Sequence, residues 1–84
     1  MSNQLAVDPF LFAFGNHVRS LRKKAGLSQE EVADRAKIHV TYLSGVERGL
    51  RNPSIRNVRQ LAQALGVPMK EMFFFKEPSS ANSM

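Results

Sequence analysis

From Leu27 to Val46 the chain reads LSQEEVADRAKIHVTYLSGV, two helix-length patterns set too close together for an ordinary hairpin. Ser28 followed three residues later by Glu31 has the form of a reciprocal cap. The hydroxyl accepts from an early helix N–H, and the carboxylate reaches back to the N–H of the capping residue. Val32, Ala33 and Ala36 then share one face of a helix over Gln29–Ala36. Lys37, Ile38 and His39 make the break, and a second helix over Val40–Val46 directs Leu43 and Val46 inward. A connection this short forces the two helices to cross steeply.

Such a pair can present its second helix to the major groove of duplex DNA while the first lies across the backbone. The outward side chains of the second helix are then Val40, Thr41, Ser44 and, at the margin, Tyr42. Thr41 and Ser44 can bond base edges or phosphates, and the Val40 methyls can pack on a thymine methyl. No Gln, Asn or Arg occupies the middle of this helix, so Arg48 and Arg51 just beyond it are the candidates for guanine or phosphate contact. Lys37 is a further phosphate candidate.

Charge points the same way. Between Arg35 and Arg59 lie six basic residues, Arg35, Lys37, Arg48, Arg51, Arg56 and Arg59, against one acid, Glu47. A short basic domain with this local excess favours a polyanion, nucleic acid first. An enzyme is disfavoured: there is no Gly-rich phosphate loop, paired-carboxylate cleft or nucleophile–base set. RNA is disfavoured because the stacking platforms that single strands require are missing. With no cysteine, and with His17 and His39 in separate segments, no metal site or cofactor is expected. No apolar run approaches bilayer-spanning length and no secretory leader is evident, so no membrane contact and a cytoplasmic location are expected.

The rest of the 84 residues reads as one small helical domain over residues 8–75, after a flexible lead at 1–7 and before a polar disordered tail at 76–84. Asp8 and Pro9 open a first helix that runs to Lys24, with Phe14, Val18 and Leu21 inward, Phe12 off the stripe, and Gly26 as the stop. Gly49 and Pro53 bracket a loop; Ser54 caps a helix over Ile55–Leu65 with Val58, Leu61, Ala62 and Leu65 inward; Gly66 ends it. Pro68 permits a fifth short helix over Met69–Phe74, from which Met72 and Phe73 are expected to complete the core. Three successive phenylalanines, Phe73–Phe75, exceed what one helix face can bury in a monomer. Met72, Phe74 and Phe75 are therefore the expected homodimer interface. The competing arrangement folds Phe74 or Phe75 back over Phe10 and Leu11.

SLRKKAGLSQEEVADRA, TYLSGVERG, NPS and LAQALGV occur in this order between Phe14 and Phe73. With them the chain resembles the phage-repressor type of helix-turn-helix protein, the Cro-like and xenobiotic-response-element-like family. The resemblance implies an all-α bundle of five helices that binds double-stranded DNA as a transcriptional regulator. It implies a phosphate contact for Gln29, a structural ion pair between Arg22 and Glu47, and base reading at Val40, Thr41 and Ser44. Gly45 stands where some phage repressors carry a reading glutamine. Within the family, TYLSGVER and Arg51-Asn52 look most like the controller proteins of restriction–modification systems, small homodimers on palindromic operators that activate and autorepress. That likeness implies DNA contacts for Thr41, Tyr42 and Arg51, although Val40 stands where controllers often carry a charge. An antitoxin, which would add a small protein partner on the Phe10–Phe12 patch or the tail, is the remaining alternative.

Overall fold

In the computed structural model, residues 8–78 are described, so the lead at 1–7 and the tail from residue 79 onward lie outside the described residues. Four α-helices, α1 (Pro9–Lys24), α2 (Gln29–Ala36), α3 (Val40–Glu47) and α4 (Ile55–Leu65), precede a 3-10 turn over Met69–Phe73. The described residues contain no strand. The Asp8 carboxylate accepts from the N–H groups of Phe10 and Leu11, and Pro9 takes the first helical position. At α2 both halves of the reciprocal cap are formed, Glu31 N–H to Ser28 Oγ at 3.0 Å and Ser28 N–H to Glu31 Oε1 at 2.8 Å. Ser54 caps α4 through the N–H of Asn57, and Gly66 ends that helix in the left-handed region.

The break between α2 and α3 turns on Lys37, whose φ of 63° is the one positive value at a non-glycine residue among those described. A side chain in this region is disfavoured, and here the conformation is held by the Ile38 N–H bonding back to the Ala33 carbonyl at 3.0 Å. That return bond satisfies a carbonyl the helix end would leave open and aims the chain straight into α3.

α2 packs on α4 and α3, α1 packs on α3, and the 3-10 turn packs on both α4 and α1. Leu43, Leu61, Met72, Val18, Val32 and Val46 are fully buried where these surfaces meet. Burial of that kind stabilises a small core by roughly 1.5–3 kcal/mol for each large aliphatic side chain. Gly15 lets α1 meet α3 at backbone distance: a Cβ there would fall on the Val46 carbonyl oxygen and 2.6 Å from that of Glu47.

The last segment departs from expectation. It is a 3-10 turn rather than a fifth α-helix, with Glu71 N–H to the Pro68 carbonyl at 2.9 Å and Phe74 N–H to the Glu71 carbonyl at 3.3 Å. The Glu71 carbonyl also meets His17 Nε2 at 2.6 Å, which draws the turn on to α1. Tight winding lets Met72 reach the core, where it is 0% exposed and offers no surface to a partner. Phe73, expected inside, is 43% exposed and stacks on Phe14. Phe75 folds back instead of pairing outward with Phe74: its half-buried ring lies 5.7 Å from that of Phe10 and 5.3 Å from that of His17. Of the three proposed interface residues Phe74 alone stands out, 78% exposed.

Candidate nucleic-acid interface

α3 is buried along one side by Leu43, Gly45, Val46 and Glu47 and open along the other. Thr41 is exposed, Val40 is 37% exposed, and Ser44 is half-buried beside them. Lys37 and His39 before the helix, and Arg48, Arg51 and Asn52 after it, are all exposed. These side chains flank one solvent-facing helix edge with hydroxyls, methyls and cations, the chemistry that base edges and phosphates accept.

Tyr42 is less free than its place in the sequence implies. Its ring is half-buried, and its hydroxyl donates to Asn57 Oδ1 on α4 at 3.1 Å. Asn57 Nδ2 in turn donates to Gln60 Oε1 at 2.8 Å. The Arg51 guanidinium lies over the Tyr42 ring, 5.8 Å from its centroid, a cation–π arrangement. Asn57 and Gln60 thus support the site from behind, and no local sequence pattern signals them.

Behind α3 lies the ion pair. Arg22 Nε donates to Glu47 Oε2 at 2.7 Å, its second terminal nitrogen donates to Oε1 at 3.1 Å, and its first donates to the Leu27 carbonyl at 2.9 Å. The hydrogen bond to Glu47 raises the Arg22 pKa further above its already high ordinary value, against the opposing effect of burial. Gln29 Nε2 donates to Glu47 Oε1 at 2.9 Å, so the residue expected on phosphate is tied to the same carboxylate while staying half-buried at the surface. The single acid of the central stretch, Glu47, is 3% exposed and paired, so it does not offset the arginines that face solvent around α3. Among the described residues there is no cluster of metal-ligating side chains and no helix long and apolar enough to cross a membrane.

Residues 18–72 match the helix-turn-helix family. The chain belongs to that family of DNA-binding transcriptional regulators. Among its relatives is the control protein C.BamHI of Bacillus amyloliquefaciens, 43% identical over 63 residues that span 74% of this chain and 78% of that one. The HTH-type transcriptional regulator y4dJ of Sinorhizobium fredii is 47% identical over 58 residues, 69% of this chain and 75% of the relative. The solved restriction-modification controller protein C.AhdI from Aeromonas hydrophila superposes with a TM-score of 0.74 at 44% identity, covering 75% of this chain and 96% of its own.

Proposed function

We propose that this helix-turn-helix regulator binds duplex DNA as a homodimer on a palindromic operator, including the one that governs its own gene. The observation that carries the reading is the open edge of α3: Val40, Thr41 and Ser44 toward solvent, Arg48 and Arg51 at its end, and Glu47 buried behind it. Two such helices related by a twofold axis address half-sites about one helical turn apart. Lys37 and Arg48, with the free amide hydrogen of Gln29, hold phosphates and set much of the salt-dependent affinity. Thr41, Ser44 and Val40 read bases, with Arg51 carried in over Tyr42. Binding is an equilibrium with no bond made or broken. The reading implies a cytoplasmic protein, where the DNA lies.

Similarity to C.BamHI and C.AhdI over most of their length favours the more particular role of a restriction–modification controller, an activator and autorepressor. The relatives lend no support to an antitoxin role. Footprinting on the DNA immediately upstream of the protein's own gene, with the mass of the complex measured in parallel, tests the reading. A symmetric footprint bound by two protomers supports it. A monomer on the duplex, or no protection at low salt, overturns it.

A further inference from the structure

Gly45 lies inside α3 with no positive φ to require glycine, and glycine is a poor helix former. Its presence there is explained by space. A Cβ on Gly45 would stand 2.7 Å from Arg51 Cγ, 3.3 Å from its Nε and 3.6 Å from its Cδ, the nearest atoms outside the helix's own backbone and the adjoining residues. The chain returns to this point because the Leu50 N–H bonds the Gly45 carbonyl at 2.9 Å after Gly49 turns at a φ of 78°. Arg51 therefore lies in the groove that Gly45 leaves on α3, and its guanidinium ends over Tyr42. The Tyr42 ring is itself fixed through its hydroxyl by Asn57, and Asn57 by Gln60.

We propose that Gly45 is a specificity-determining position: the side chain it lacks lets Arg51 cross α3 and rest on Tyr42, aiming the guanidinium at a base edge. The inference rests on the DNA-binding reading and adds to it a reason for selectivity. An arginine free to swing takes any nearby phosphate, whereas one held in a groove gives up less freedom on meeting a base and is poorly placed for other targets. The amide pair on α4 acts at one remove, by holding the tyrosine on which the arginine lies. Gly45 itself touches no base. It is a positioning residue, and its effect passes wholly through Arg51.

Gly45→Ala is the direct test, because the new methyl meets a side chain that can be displaced rather than backbone, and alanine suits the helix better. The variant is expected to keep or raise the wild-type Tm while losing the ring-current shift that Tyr42 imposes on the Arg51 side-chain protons. A duplex recovered by selection from a randomised pool with the wild-type protein serves as the probe, against a mixed-sequence duplex of equal length. Preference for the selected duplex is expected to fall about tenfold or more, as for loss of one good arginine–guanine contact, with the salt dependence unchanged. In an Arg51→Ala background, Gly45→Ala is expected to change nothing further. Wild-type selectivity in Gly45→Ala, or equal losses from Gly45→Ala with and without Arg51, would overturn the inference and leave the DNA-binding reading standing. Failure of the wild-type protein to enrich any duplex would sink both.

Discussion

Arg22 at the end of α1 and Glu47 at the end of α3 are joined by a two-pronged hydrogen bond, 2.7 Å and 3.1 Å, that is nearly closed to solvent. Gln29 at the start of α2 bonds the same carboxylate. One carboxylate thus gathers three helices, and the pair stands directly behind the residues of α3 that face outward.

Removing one member of this pair is more damaging than removing both. Arg22→Ala leaves the Glu47 carboxylate buried without its cation, an effect of about 3–5 kcal/mol on unfolding free energy. The double substitution Arg22→Met with Glu47→Leu is expected to recover most of that loss, since a well-packed apolar pair of similar volume is often neutral or better. Urea unfolding of the three proteins measures this. A double variant less stable than Arg22→Ala would show that the pair contributes more than compensation for burial. Because Arg22 has its pKa raised, its contribution is present at neutral pH and is lost only as pH rises to the strongly alkaline end.

The cap on α2 carries an acid-sensitive contribution with a definite sign. The backbone N–H of Ser28, then its side chain, hold the Glu31 pKa below the ordinary 4.5, although the carboxylate is exposed. A carboxylate with a depressed folded pKa stabilises above its unfolded value and loses that contribution as pH falls through the folded one. The Ser28 amide proton resonance is expected to follow one titration with its midpoint under 4.5, absent from Glu31→Gln. A midpoint at or above 4.5 would contradict the cap's role.

Local chemistry made most of the frame readable. Asp8-Pro9, Ser28 with Glu31, and Ser54 with Gly66 each announce a helix end through a bond made within a few residues, and the structure has all of them. The last segment was not readable in the same way, because what decides it is far off in sequence. His17 takes the Glu71 carbonyl from 54 residues away, and Phe75 turns toward Phe10 and Phe14. The site divides similarly. Residue types show Thr41, Arg48 and Arg51 as outward groups, but Tyr42 is oriented by Asn57 on another helix, and the spaces at Gly15 and Gly45 are defined by α3 and by Arg51.

Phe74 and Met72 should separate association from folding. Phe74 is 78% exposed and Met72 0%. If the proposed homodimer forms through this face, Phe74→Ser is expected to shift it toward monomer by tenfold or more, about 1.4 kcal/mol, with little effect on the unfolding of the monomer. Met72→Ala is expected to lower monomer stability by about 2–5 kcal/mol, as for other core truncations. Sedimentation velocity across a dilution series, beside urea unfolding, distinguishes the two. Unchanged association in Phe74→Ser would remove this face from the dimer.

Thr41 and Arg48 offer the clearest division between reading and holding. Both are exposed, but Thr41 lies in the first turn of α3 while Arg48 lies beyond its end, on the side of the loop. A group that bonds a base edge distinguishes sequences, whereas one that neutralises a phosphate binds all duplexes alike and releases a counterion. Thr41→Ala is therefore expected to reduce preference at one base step by roughly 1 kcal/mol and to leave the salt slope intact. Arg48→Ala is expected to weaken operator and mixed-sequence DNA together and to flatten the slope of log K against log salt by about 1. Titrations of both variants on both duplexes across a salt series give the answer directly. If Thr41→Ala weakens the two duplexes equally, Thr41 is one more backbone contact and the reading passes to Ser44 and Arg51.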